Sequence, residues 1–255
     1  MRAAPPAAEP AAAAPATRPS GLHHAQQCLR ACDAVCFDVD STVIVDEGID
    51  ELASFLGCGE AVAALTRAAM GGSKPFGEAL AERLAVINPT LAQLEELVAA
   101  RPPAAQLTPG IAELVAELQA QGKRVFLVSG GFRQMIEPVA AVLRICAADI
   151  RANTLLFNDD GHFQGHDPSE PTSRAGGKAE AVAELKATHR LSCVVMVGDG
   201  ATDMEARDVE GGADAFIGFG GNQTREVVEQ GADWFVTSFS EMLGALRAQA
   251  RPRLG

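Results

Sequence analysis

Ala34-Val35-Cys36-Phe37-Asp38-Val39-Asp40-Ser41-Thr42 decides how the rest of the chain is read. Its apolar residues run on without the polar alternation of a half-exposed strand, which fits a strand buried on both faces, as in a parallel sheet. Where that strand opens into a loop stand two carboxylates, Asp38 and Asp40. Two anions held together out of water are costly unless a cation joins them or one keeps its proton. A hard dication is the economical partner. The plainer alternative, an Asp capping a turn, accounts for one acid better than for two.

Outward from this stretch the same pattern recurs. Short apolar runs that close on polar residues and lead into helical stretches occupy Arg124–Ser129, Ser192–Gly198, Ala213–Gly218 and Trp234–Thr237. The fold class expected is α/β, a Rossmann-like parallel sheet flanked by helices. Open sheets of this kind bind ligands at the carboxyl ends of their strands, and three of these ends carry chemistry. Gly198-Asp199-Gly200-Ala201-Thr202-Asp203 repeats the acidic theme, with glycines for a sharp turn and Asp203 facing back from the first helical turn. Together with Asp38 and Asp40 it makes an acidic cluster suited to Mg²⁺, which takes a few carboxylates plus water and phosphate oxygens. Ser129-Gly130-Gly131-Phe132 ends a third strand and opens a helix, offering a hydroxyl and backbone N–H groups to an anion. Taken alone it is an ordinary strand-to-helix turn. Lys178, after Gly176-Gly177, would likewise be a solvated lysine by itself; beside the acidic ends it is the positive charge a phosphate site needs.

Two insertions interrupt the alternation. Gly48–Ala105 carries Ala, Leu and Glu at helical spacing, punctuated by Asn88-Pro89-Thr90 and Arg101-Pro102-Pro103. A right-handed crossover needs one helix, so the two to three extra ones expected here imply a small helical cap over the strand ends. The expected division is a leader over 1–24, a catalytic core over 25–47 and 106–255, and a cap over 48–105. Ala152–Gly165, with Asp160-Gly161 between apolar residues, reads as a hairpin.

The 255 residues carry Lys+Arg 21 against Asp+Glu 33, a formal charge of −12. That balance argues against nucleic acid and anionic membranes as partners, and no apolar run reaches the ~20 residues of a membrane helix. A soluble protein is expected. The first 20 residues hold nine Ala and five Pro and offer no apolar face, so Met1 to about His24 reads as a disordered leader. Either it is a transit segment, with a plastid as destination, or it is a plain tail and the protein is cytoplasmic. Cys28, Cys32, Cys36, Cys58, Cys146 and Cys193 show no disulfide framework, so a reducing compartment is the default and packing is preferred over metal ligation.

In this order, Asp-x-Asp-x-Thr, Ser-Gly-Gly, Lys and Gly-Asp-Gly-x-Thr-Asp resemble the haloacid-dehalogenase-like phosphohydrolases, and within them the phosphoserine phosphatases. The similar stretches are Ala34–Asp40, Glu47–Leu52, Met70–Gly72, Pro75-Phe76, Leu80–Leu84, Leu107–Ile111, Ser129–Arg133, Gly198–Glu205 and Ala215–Asn222. Ser73-Lys74 and the leader depart from the pattern without touching the expected chemistry. The resemblance implies Mg²⁺-dependent hydrolysis of O-phospho-L-serine, the last step of serine biosynthesis by the phosphorylated route. It casts Asp38 as the nucleophile that becomes an aspartyl-phosphate, and Asp40 as acid and base. The metal would be held by the carboxylates of Asp38 and Asp199 and the backbone carbonyl of Asp40, with Asp203 supporting from behind. Ser129, Gly130, Gly131, Lys178 and Thr202 would hold the phosphoryl group. Glu47 would take the substrate ammonium and Arg83 its carboxylate, while Met70, Gly71 and Phe76 close over it. Asn222 would add a polar contact or cap the next helix.

Rival readings are weaker. A dehalogenase needs no second acid at Asp40, and a phospho-accepting signalling module has no helical lid. A catalytically dead scaffold would be expected to have lost Asp38 or Asp199. A phosphatase of the same architecture acting on another small phosphomonoester stays open, and a homodimer is one option for the assembly.

Overall fold

The computed structural model describes residues 21–70 and 76–248. Among them, six strands form one sheet in the order β3-β2-β1-β6-β7-β8. They are β1 (Ala34–Phe37), β2 (Arg124–Phe132), β3 (Ile150–Asn153), β6 (Val194–Gly198), β7 (Ala215–Phe219) and β8 (Trp234–Val236), all paired in parallel. A separate hairpin joins β4 (Leu155–Phe157) to β5 (Phe163–His166). The α/β expectation therefore holds. β1 lies in the interior, in register with β2 through Phe37↔Leu127 and with β6 through Phe37↔Val197.

Burial on both faces explains the unbroken apolar runs. Val35 and Phe37 point to one side with Leu127, Val195 and Ile217, where α1 (Leu22–Ala31), α7 (Ile111–Ala120), α8 (Arg133–Val142) and α12 (Phe239–Arg247) cover them. Ala34 and Cys36 point to the other side with Phe126, Met196 and Phe216, under α9 (Gly177–Thr188), α10 (Ala201–Asp208) and α11 (Glu226–Gly231). At roughly 25 cal/mol per Å² of apolar surface withdrawn from water, these two layers supply most of the drive to fold.

The stretch between β1 and β2 is richer in helices than expected. It holds α2 (Gly48–Phe55), α3 (Gly59–Met70), α4 (Phe76–Ile87), α5 (Leu91–Ala100) and the single turn α6 (Pro103–Gln106). Gly57-Cys58-Gly59 separates α2 from α3, and Thr90 caps α5 with a reciprocal Gln93 bond. Leu52, Val62, Leu80, Leu84 and Leu94 make a core of their own, which also takes in Phe132 and Leu155.

Three sequence expectations need correction. The leader reading ran too far, because Leu22–His24 already belong to α1, whose apolar face starts only at Ala25, Cys28 and Leu29 behind two histidines. β3 was missed: Ala152 and Asn153 lie in the sheet, and only the rest of that insertion is hairpin. β2 does not end at Ser129 but continues through an irregular register to Phe132, opposite Asn153, so α8 begins only at Arg133. No described helix is long and apolar enough to cross a membrane, and all six cysteines are free, with Cys28, Cys32 and Cys36 buried.

Candidate active site

Because β2, β1 and β6 are neighbours, Ser129, Asp38 and Asp199 come to one edge of the sheet. The chain order runs outward in both directions from β1, and such switch points leave a crevice. Lys178, in the first turn of α9, reaches across it, and its Nζ lies 2.8 Å from Asp38 Oδ1 and 2.7 Å from Asp203 Oδ1. Asp203 sits in the first turn of α10, fully buried, its other oxygen accepting the Gly200 N–H at 2.9 Å. A Cβ on Gly198 would lie 2.3 Å from that carboxylate, so only glycine lets Asp203 tuck beneath the strand end.

One oxygen from each of Asp38, Asp199 and Asp203 lies within 4.8 Å of the others. Burial, with Asp203 next, pushes Asp38 up to about 6 even though Lys178 opposes the shift. Burial also raises Asp199 and Asp203, the first further by Asp38 and the second against the pull of Lys178. For Lys178 burial works against the charge, but Asp203 and Asp38 outweigh it and hold the ammonium well above a free lysine. Three buried carboxylates thus share two cations, Lys178 and Arg225. An all-oxygen donor set still short of positive charge fits a hard divalent cation.

Asp40 stands apart from that cluster. Its Oδ1 accepts the Gly48 N–H at 2.9 Å, where α2 begins. Burial, then Glu47 and Asp38, push it up to about 8, so at neutral pH it carries a proton. A Cβ on Gly131 would lie 2.7 Å from Asp40 Oδ2, so the glycine makes room for that carboxyl. Ser129 is fully buried and its Oγ accepts the Gly131 N–H at 2.9 Å.

The loop after β1 is pinned from three sides. Ser41 takes a left-handed backbone, with φ of 53°. Asn222 Nδ2 donates to Ser41 O at 3.1 Å, Ile44 O at 3.3 Å and Thr108 Oγ1 at 2.7 Å. The amide of Asn222 therefore braces the Asp38 loop, and the helix after it, α11, is entered through Arg225 instead. Ser41 Oγ donates to Glu47 Oε1 at 2.7 Å, and Thr42 Oγ1 donates to Asp199 Oδ1 at 3.3 Å.

Arg225 is the site residue that sequence reasoning missed. Its Nε donates to Asp199 Oδ2 at 2.9 Å, and its Nη2 lies 3.6 Å from Glu47 Oε1, linking the acidic cluster to the base of the cap. No motif marks it, lying as it does three residues beyond Asn222 in a polar loop. The available signal was the surplus of acids over cations at the strand ends. Glu47 is half-buried and raised by burial, against the Ser41 bond. Arg83 is half-buried on α4 with Nε donating to Ala79 O at 3.1 Å; burial weakens its charge while Asp50 and Glu47 support it. Glu47 and Arg83 do not pair with each other in any described contact. Thr202 is exposed in the first turn of α10. Met70, Gly71 and Phe76 lie outside the residues whose side chains are described.

The haloacid dehalogenase-like hydrolase family profile matches residues 35–207, from β1 through α10. The chain is 54% identical over 217 residues to the chloroplastic phosphoserine phosphatase of Arabidopsis thaliana, covering 85% of this chain and 72% of that protein. It is 53% identical over 214 residues to the phosphoserine phosphatase of Bos taurus, covering 84% and 93%. The chain belongs to the phosphoserine phosphatase family of haloacid dehalogenase-like hydrolases. Among solved structures, a phospho-aspartyl intermediate analogue of a family member superposes with a TM-score of 0.70 at 26% identity, over 83% of this chain and 97% of that one. Membership in the phosphoserine phosphatase family makes the chain a phosphatase, and the acidic strand ends are its candidate chemistry.

Proposed function

We propose that the protein hydrolyses O-phospho-L-serine to L-serine and phosphate by a double displacement on Asp38, as the last step of serine biosynthesis. The observation that carries this reading is the division of labour between two neighbouring acids. Asp38 is held ionised by Lys178, whereas Asp40 is pushed up to about 8 and keeps a proton. A nucleophile needs the first state and a general acid the second.

In the first half-reaction an Asp38 oxygen attacks phosphorus in line with the serine oxygen. Val39 N–H and Lys178 both bond Oδ1, which leaves Oδ2 to form the bond. As the ester P–O bond breaks, Asp40 delivers its proton to the departing serine oxygen. In the second half Asp40, now a carboxylate, takes a proton from water, whose oxygen attacks the phosphorus and returns Asp38 free. Lys178, the Ser129 hydroxyl and the Gly130 amide hold the phosphoryl oxygens, while the Gly131 N–H is spent on orienting Ser129 Oγ, and such preorganised donors are where most of the acceleration lies.

Asp38 and Asp199, with the Asp40 carbonyl, would hold Mg²⁺, while Asp203 anchors Lys178 and the strand end. When bound, the ion neutralises charge that builds on the transferring phosphoryl group. Glu47, oriented by Ser41 and Arg225, supports recognition of an ammonium, and Arg83 that of a carboxylate. The helices over 48–105 act as the lid that carries this choice. Phosphate release should be measured on phosphoserine, phosphothreonine, phosphoethanolamine and an aryl phosphate, with and without Mg²⁺. Phosphoserine should lead the panel, Asp38→Asn should abolish turnover on every substrate, and Arg83→Ala should raise KM for phosphoserine far more than for the aryl ester. Turnover persisting in Asp38→Asn would falsify the nucleophile assignment, and preference for another ester would replace the substrate.

A further inference from the structure

At the opposite end of the sheet from the carboxylates, two thiols meet. Cys193 immediately precedes β6, and Cys28 lies on α1, which packs across β6 and β7. Cys193 Sγ lies 4.0 Å from the carbonyl oxygen of Cys28, which brings the two thiol-bearing residues together. His24, one turn before Cys28, places Nε2 3.4 Å from Cys28 Sγ and 3.0 Å from the Asp214 carbonyl oxygen. Cys28 is only 8% exposed, whereas Cys193 is half-buried. We propose that Cys28 and Cys193 form a reversible disulfide that staples α1 to the base of β6.

The neighbours sort the thiols. The neighbouring Cys193 draws Cys28 down to about 7 against its burial, aided by the charge of His24 and resisted by Asp214 and Asp233. Burial instead pushes Cys32 up to about 11 and Cys36 up to about 12, so both stay as inert thiols. The nucleophile in exchange is the thiolate, which singles out Cys28. The co-reactant is a low-molecular-weight disulfide such as oxidised glutathione. Cys28 thiolate attacks one of its sulfurs, forming a mixed disulfide and releasing one thiolate. Cys193 gives up its proton to that thiolate and attacks the Cys28 sulfur, expelling the second. Two protein thiols are oxidised, one small disulfide is reduced to two thiols, and no other oxidant is consumed.

The closed loop spans 165 residues, which removes substantial freedom from the unfolded chain. The test uses the full chain treated with oxidised glutathione. Free thiols counted in denaturant should fall from six to four, and peptide mapping should find the Cys28–Cys193 cross-link. The thermal midpoint should rise by about 5–10 °C and return with a dithiol reductant. Phosphate release should change less than about twofold, since this end of the strands is remote from the carboxylates. Cys193→Ser should trap a single glutathione on Cys28. Six thiols persisting, a cross-link through Cys32 or Cys146, or a Cys193→Ser protein that still loses two thiols to an internal cross-link each overturns the proposal.

Discussion

At Gly131 a single methyl group is enough to probe the site. Its Cβ would lie 2.7 Å from Asp40 Oδ2, closer than carbon tolerates, and 3.1 Å from Ser129 Oγ, which would have to give by a few tenths of an ångström. Gly131→Ala should leave the far-ultraviolet circular dichroism intact and lower kcat by on the order of 10²-fold, since a shift of about 1 Å in a reacting group has that effect. Unchanged kcat would mean that Asp40 moves freely and is not held in position. On the proposed mechanism Asp40 should also set the alkaline limb of the pH profile. Its carboxyl, pushed up to about 8, is protonated at neutrality, so kcat/KM should fall as pH rises through that value and the general acid is lost. Bound dication stabilises the carboxylate and moves the limb toward lower pH. Asp40→Asn should erase the limb and slow phosphoserine turnover by roughly 10²–10⁴-fold. An unaltered limb in that variant would assign the titration to another group.

At the level of elements, the helices over 48–105 fold around Leu52, Leu80, Leu84 and Leu94, all under 3% exposed. Leu94→Ala should cost about 2–5 kcal/mol of stability through the cavity it leaves, read by urea unfolding. Because Phe132 and Leu155 share that core, the loss should extend to the hairpin and the end of β2. The sequence made some elements plain and hid others for definite reasons. The interior strands β1, β2, β6 and β7 were legible because burial on both faces leaves an unbroken apolar signal. β3 was not, since Ile150-Arg151-Ala152-Asn153 lies at the sheet edge and mixes polar with apolar residues. α1 was partly lost behind His23 and His24. Asp38, Asp199, Ser129 and Lys178 could be grouped because strand ends converge in such sheets, whereas Arg225 comes from a loop whose partner acids are 26 and 178 residues away in the chain.

Over the whole molecule, charge is the governing quantity. A protein of formal charge −12 that handles an anionic ester must concentrate its positive potential locally, and Lys178 and Arg225 alone do not balance the buried acids. Mg²⁺ should therefore raise the thermal midpoint by RT ln(1 + [L]/Kd) expressed as temperature, about 2.7 kcal/mol at one hundred times Kd. A chelator should reverse this, while a midpoint indifferent to both would remove the ion from the cluster. The described structure also shows how the helical insert is attached. Val45 N–H bonds Gln106 O at 3.0 Å, Thr108 N–H bonds Val43 O at 2.9 Å, and Ile44 bridges Leu107, so the two ends enter and leave side by side. That pinched neck lets the insert be exchanged as one piece of chain. A substitute bundle sewn in between those same few residues, and shaped to cover Phe132 and Leu155 as the native one does, should leave the strand-end carboxylates standing and hand the enzyme a new clientele.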